Sequence, residues 1–409
     1  MISVQKAIDS VLSQTPLAGP EPISILDAAG YILAEDVHSD IAMPPFDKST
    51  MDGYALRFSD AEAAPVVLEV VGVVPAGATP KMEIRPGQAV KIMTGAPLPI
   101  GSDAVQMVEK TQALAERKVK ILEPVARGQN ISPKSEIIKI GEKLVASGTY
   151  ITPAVIGLLS AVGKKQVQIH RRPRVAILVT GDELVDIDKK PLPGQIRNSN
   201  GYALYHQVRS CGAIPEVLGI APDDLSELRS KIAIGLECDV LLISGGVSMG
   251  DLDFVEKVFA DLGVSVFFDA VNIKPGKPTV FGKKGSALVF GLPGNPVSAS
   301  TIFEVMVRPL LRKLMGFIQV HNTRMTAIAA NDFSSKTRRE NFAPAWSYLE
   351  GNTVYSRVLQ SKGSADIVAF AESNSFAVIP GEVQQVGRGE PIEIMLRDEF
   401  WNTCRLAQT

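Results

Sequence analysis

The sequence predicts a multi-domain α/β-plus-β protein: a central α/β domain with a parallel-type sheet and flanking helices, a β-rich module before it, and a small β domain at the end. Three observations carry this. Between residues 174 and 314, short apolar runs alternate with helix-length segments, the pattern of right-handed crossovers onto a parallel sheet. From Ile41 to about Lys139 the chain shows short β-rich runs punctuated by Gly and Pro, and from about Phe317 it returns to short strands. A length of 409 residues accommodates several domains of roughly 150 residues, each with its own core.

In chain order, SVQKAIDSVLSQT opens with Ser3 as N-cap and carries Val4, Ala7, Ile8, Val11 and Leu12 at helical spacing, so it forms an amphipathic helix ending near Pro16. VVLEVVGVV, QAVKIMTGA and KVKILEPV are the strands of the β-rich module. TPAVIGLLSAVG starts a helix with Thr152 as cap and Pro153 at its first position, and helical material on either side of the module is expected to belong together. HRRPR, at 170–174, marks a basic, proline-bearing boundary. Beyond it RVAILVT, IPEVLGIA, DVLLISG and ALVFGLPG are strands, separated or followed by the helices NGYALYHQVRSCG, LSELRSKIAIGL, DFVEKVFADLG and PVSASTIFEVMVRPLLRKL. RMTAIAA, NTVYSRVL and EPIEIML supply strands of the last domain.

A net charge of -2, from 42 basic and 44 acidic residues, provides no field for nucleic acid or a membrane surface, so any anion site must be local. The three cysteines, Cys211, Cys238 and Cys404, have no zinc or disulfide spacing, which favours a reducing compartment. The first residues lack a basic segment followed by an apolar one, and the longest apolar run, around Ile156 to Val162, is too short to span a bilayer. A soluble cytoplasmic protein is expected.

Ligands of open parallel sheets bind beyond the carboxyl ends of the strands, near where strand order reverses. Three unusual loops leave such ends: Thr180-Gly181-Asp182-Glu183-Leu184, Ser244-Gly245-Gly246-Val247-Ser248 with Asp251 and Asp253 after it, and Leu292-Pro293-Gly294-Asn295-Pro296. The Gly pair lets backbone N–H groups approach a phosphate, helix N-termini favour anions, and Glu183 with Asp253 suits a hard cation such as magnesium. Lys274-Pro275-Gly276-Lys277-Pro278 places two ammonium groups on a proline-stiffened loop. Singly, each motif reads equally as structure: SGGVS as a tight turn, the aspartates as caps, PGNP as a turn with Asn295 capping, the lysines as solvated. Together, at corresponding ends of one sheet, they read as a phosphate-plus-metal site beside a cationic clasp.

PPFDKSTMDGYALR, IMTGAPLP, TGDEL, GQIRNSN, SGGVSMGD, IKPGKP and GLPGNPVSA, in this order along essentially the whole chain, closely resemble the molybdopterin molybdotransferase family, MoeA and the E domain of gephyrin. The resemblance implies a transferase that inserts molybdate into adenylylated molybdopterin, with magnesium-dependent release of AMP. It implies four domains: a discontinuous domain I (1–41 and 139–170), a β-rich domain II (42–138), a molybdopterin-binding α/β domain III (171–316) and a C-terminal β-barrel domain IV (317–409). It also implies a homodimer whose cleft lies between domain III of one subunit and domain II of its partner, with the molybdopterin adenylyltransferase a candidate partner. Carried over by motif, Asp52 and Thr94 face the partner's cleft. Glu183, Asp223 and Asp253 surround the pterin phosphate, pyrophosphate and magnesium, with Glu183 and Asp253 as metal ligands. Gly245, Gly246 and Ser248 cradle phosphate; Ser199, Asn200, Pro293 and Asn295 line the pocket; Lys274, Lys277, Pro278 and Ser364 form the molybdate site.

Three positions depart from the family pattern, each removing charge: Ile137 in place of an acidic residue, Ala270 in place of a lysine, and Pro344 in place of the second Arg of GRxxFxR, with Glu136, Lys139, Arg338 and Arg339 as nearby candidates to compensate. They motivate an alternative, a catalytically weakened paralogue acting as a molybdopterin-binding or scaffold protein. A general nucleotide-binding α/β enzyme is a third reading, disfavoured because no GxGxxG or Walker pattern follows a strand.

Overall fold

The computed structural model describes residues 1–246, 254–335, 337–398 and 400. The chain divides into two compact units, Met1–Pro22 with Gln168–Thr409, and Ile23–Val167.

In the first unit a six-stranded sheet is built from β1 (Arg174–Thr180), β2 (Ile214–Ala221), β3 (Val240–Ser244), β4 (Ser265–Phe268), β5 (Val280–Lys284) and β6 (Ala287–Leu292), in the order β2-β1-β3-β6-β5-β4. The four strands β2, β1, β3 and β6 pair in parallel, as the alternating pattern requires. β5 and β4 add an antiparallel extension, because the short connection from β5 to β6 is long enough for a hairpin and too short for a crossover. The chain runs from β1 to β2 on one side and returns to β3 on the other, so strand order reverses at β1. β1, β3 and β6 are nearly continuous apolar runs because both faces are covered. Val175, Ile177, Leu242 and Phe290 face one core with α1 (Val4–Gln14) and α2 (Ser199–Ser210). Ala176, Leu178, Leu241 and Ile243 face another with α3 (Leu225–Gly235) and α4 (Phe254–Asp261). Each such Val, Leu, Ile or Phe side chain contributes about 1.5 to 3 kcal/mol by leaving water. The Ser3 hydroxyl caps α1 by accepting from Lys6 N–H, as read from the sequence.

The segment expected to be one helix after β6 is broken into α5 (Pro296–Ile302), a π-helical turn (Phe303–Val307) and α6 (Arg308–Leu314). Pro309 cannot donate to a carbonyl one turn back, and its ring crowds that turn, which widens it locally. The turn holds Glu304, whose carboxylate accepts from Arg308 Nε at 2.7 Å, both almost fully buried.

Beyond α6, strands Arg324–Ala329, Glu340–Glu350, Thr353–Val358, Ser375–Ile379 and Pro391–Leu396 close on themselves into a barrel, Glu340–Glu350 pairing with both Thr353–Val358 and Ser375–Ile379. The two-residue strand Ile273–Lys274 pairs in parallel with Glu340–Asn341, the start of a barrel strand, ahead of that strand's pairing with Thr353–Val358.

The second unit contains a six-stranded sheet whose strands include the anticipated Val66–Val74, Gln88–Ile92 and Lys118–Ile121. It also holds helix Pro153–Ala161, where Thr152 accepts from Val155 N–H and Pro153 takes the first position.

Candidate functional site

All three strand exits singled out in the sequence open into one cavity of about 370 Å³, beyond the carboxyl ends of β1, β3 and β6 and at the point of strand reversal. The acidic residues Glu183 and Asp223 line it, together with Ser199, Asn200, Gly245, Gly246, Pro293 and Asn295. Asp223 is placed by the loop before α3, where its N–H donates to Asp182 Oδ1 at 3.0 Å. Ser248 and Asp253 lie outside the described residues.

Asn200 ties these loops together. Fixed in the first turn of α2, which Asn198 caps by accepting from Gly201 N–H, its Nδ2 donates to Ser244 Oγ at 2.9 Å and to Gly294 O at 2.8 Å. At 8% exposure its amide is committed largely to holding the β3 and β6 loops. Gly245 is required sterically: its φ is +100° and a Cβ there would stand 2.5 Å from Thr180 O. Its N–H, expected from the sequence to face a phosphate, instead donates to Leu292 O at 3.1 Å, which locks the β3 loop to β6. Asn295 occupies the N-cap position of α5 with Pro296 next, yet its side chain makes no capping bond. The turn-and-cap reading therefore accounts for its backbone but not for its side chain, and the residue lines the cavity.

A second cavity, of about 480 Å³, lies alongside, between α5, the lysine loop and the barrel. Lys274, Lys277, Pro278 and Ser364 all line it, and Pro278, Pro293 and Asn295 line both cavities. Lys274 ends the short strand paired with the barrel and Val280 begins a strand of the α/β sheet, so the lysine loop bridges two sheets. It is held by Thr279 Oγ1 donating to Gly276 O at 2.7 Å and Val271 N–H donating to Lys277 O at 3.0 Å; the Lys274–Pro275 bond is cis. Glycine is favoured at 276 by its φ of +110°, and a Cβ there would also stand 2.7 Å from Ile302 Cδ1. Ser364 is anchored by Val297 N–H donating to its carbonyl at 3.1 Å. Pro344 forms part of the same wall, whereas Ala270 lines neither cavity. Arg339 also lines the second cavity.

In the second unit, strand register sets Gly53 opposite Ile92, so Asp52 and Thr94 meet although 42 residues apart. Thr94 N–H and Oγ1 both donate to Asp52 Oδ1, at 2.6 and 2.9 Å, and these bonds hold the Asp52 carboxyl below the usual carboxylate range. Ile137, in the same unit, is 64% exposed.

The fit to magnesium rests on donor chemistry. Glu183 and Asp223 supply the hard carboxylate oxygens that ion prefers; among the described residues no group of three or more His, Cys, Asp or Glu is gathered to hold a metal. Thr180 and Arg197 also line the first cavity. Thr180 opens the first of the strand-exit loops and Arg197 lies within GQIRNSN, but a threonine ending a strand and an exposed arginine carry no role that their pattern alone assigns.

The chain thus has an α/β domain with loop-lined cavities at its strand reversal, followed by a closed barrel. Residues 2–163 match the MoeA N-terminal region (domain I and II), 176–313 a probable molybdopterin binding domain, and 326–396 the MoeA C-terminal region (domain IV). The chain belongs to the MoeA family. It is 35% identical to a molybdopterin molybdenumtransferase of Nostoc and 34% to that of Bacillus subtilis, each alignment covering 97% of this chain and 94% of the relative. A crystal structure of a molybdopterin biosynthesis MoeA protein from Pyrococcus horikoshii superposes with a TM-score of 0.85 at 35% identity, over 97% of this chain and 99% of the other.

Proposed function

We propose that this protein is a molybdopterin molybdotransferase that inserts molybdate into adenylylated molybdopterin with magnesium-dependent release of AMP. The observation that supports this best is the pair of adjoining cavities with opposite character, one bearing carboxylates and glycine loops, the other lysines, with Pro278, Pro293 and Asn295 common to both. Such an arrangement suits a phosphorylated pterin in the first and a small tetrahedral dianion in the second, side by side. The relatives carry the transferase's name along nearly their whole length, which disfavours the scaffold alternative.

In this reading Gly245, Gly246 and Ser248 admit the phosphates, Ser199 and Asn295 offer hydrogen bonds, and Asn200 positions the loops. Glu183 and Asp253 would hold magnesium with Asp223 nearby; when bound, that ion neutralises charge developing on the cleaved phosphoanhydride. Lys274 and Lys277 attract the oxyanion as point charges and Ser364 orients it. Phosphoanhydride cleavage depends on positioning and charge neutralisation rather than on a protein nucleophile. The four-domain division, a homodimer in which Asp52 and Thr94 face a partner's cleft, hand-over from a molybdopterin adenylyltransferase and a cytoplasmic location belong to the same proposal. Among the described residues no helix is long and apolar enough to cross a membrane.

The test is to supply the purified protein with adenylylated molybdopterin, magnesium and molybdate, and to follow AMP release and reconstitution of a molybdenum apoenzyme. Molybdate-dependent AMP release with reconstitution is expected. Pterin binding with neither would overturn the transferase and leave a scaffold.

A further inference from the structure

The cationic cavity has Pro344 in its wall, where the GRxxFxR pattern would place its second arginine, and keeps Arg339, five residues earlier, where that pattern places its first. Its lining includes Lys274, Lys277 and Arg339 and, among the described residues, no carboxylate. Arg338 lines neither cavity and is exposed. Arg339 is half-buried immediately before strand Glu340–Glu350, and its Nη1 donates to Ile273 O at 2.9 Å. Because Ile273 pairs with Glu340 and Lys274 with Asn341, that bond anchors the guanidinium to the strand that carries Lys274. A guanidinium has five N–H donors in one rigid plane. One donor here serves a carbonyl, and among the described residues no ion pair or further side-chain hydrogen bond engages the rest.

We propose that Arg339 is a ligand of the oxyanion, supplying from the start of the barrel strand the guanidinium that Pro344 removes from its middle. This rests on the molybdate reading of the cavity and deepens it. A tetrahedral dianion presents only acceptor oxygens. A planar fork can engage two of them while lysines act as point charges. The bond to Ile273 O fixes the fork beforehand, which lowers the ordering cost of binding.

Direct titration of the full-length protein with molybdate, and separately with adenylylated molybdopterin, tests this. Arg339→Gln keeps a donor for Ile273 O and removes the charge. It is expected to weaken molybdate binding about 10- to 100-fold, the loss of a charge-assisted hydrogen bond, while pterin binding stays within about twofold. Arg339→Lys retains more affinity than Gln, and Pro344→Arg restores part of the loss in the Arg339→Gln background. Unchanged molybdate binding in Arg339→Gln shows that Arg339 only buttresses the strand, and a loss confined to the pterin substrate assigns it to phosphate; either overturns the proposal. Failure of the unaltered protein to bind molybdate overturns the molybdate reading itself, and this inference with it.

Discussion

Replacing Asn200 tests whether one amide holds the pterin-side cavity together. In Asn200→Ala two hydrogen bonds vanish, to Ser244 Oγ at 2.9 Å and Gly294 O at 2.8 Å. Ser244 Oγ keeps a contact with Pro293 O at 3.4 Å, and the carbonyl of the exposed Gly294 can turn to water, so neither partner is stranded. At roughly 0.5 to 1.5 kcal/mol for each of the two lost bonds, the expected loss is about 1 to 3 kcal/mol. Asn200→Asp keeps the shape but turns an acceptor toward two oxygens, with its carboxyl buried. Burial and these neighbours raise the folded-state pKa of that carboxyl above the unfolded value, so the protonated side chain can donate at low pH and the stability it contributes is lost as pH rises through the folded pKa. Asn200→Asp is therefore expected to be more nearly like the unaltered protein at pH 5 than at pH 8. Urea unfolding at both pH values and titration with adenylylated molybdopterin provide the measurements. A change in stability below about 0.5 kcal/mol together with unaltered pterin affinity in Asn200→Ala would refute the tether.

The other predictions concern the second cavity, the buried ion pair and the thiols. Lys274→Ala should raise the molybdate concentration needed for half-maximal AMP release about tenfold or more and leave pterin binding nearly unchanged; equal effects on both contradict the assignment. Arg308→Met strands the Glu304 carboxylate, which is 3% exposed, and should cost about 3 to 5 kcal/mol in denaturant unfolding. Adding Glu304→Leu should recover part of that loss, and a double variant no better than the single one argues against the pair. Burial pushes the Cys211 thiol up to about 12 and the Cys238 thiol up to about 11. Both should therefore resist alkylation at pH 8 in the native protein and react after unfolding, as peptide mass mapping would report.

Much of the site was legible because its signals are local. Gly245 and Gly276 are demanded by backbone geometry at single positions, the strand exits follow from apolar runs, and Asp52 and Thr94 each lie within a recognisable motif. What was missed depends on strand order. The period of β5 and β6 is that of any strand, and nothing in it announces an antiparallel hairpin extending a parallel sheet. Gly245 N–H was expected to meet a phosphate because the sequence shows a glycine pair, but not that Leu292 O would lie beside it in β6. The break after Ile302 was marked by Pro309, though the burial of Glu304 and Arg308 that accompanies it was not.

The sequence by itself determined the family, the alternation of strands and helices, and which residue types crowd the ends of the strands, since each is written in short contiguous patterns. Tertiary structure alone decided which of them share a cavity. Asn200 meets Ser244 and Gly294 across separations of 44 and 94 residues. The lysine loop begins on the barrel and ends on the α/β sheet. Arg339 enters the cavity in whose wall Pro344 stands. Such contacts arise from strand pairing and packing between distant segments, which no local spacing encodes.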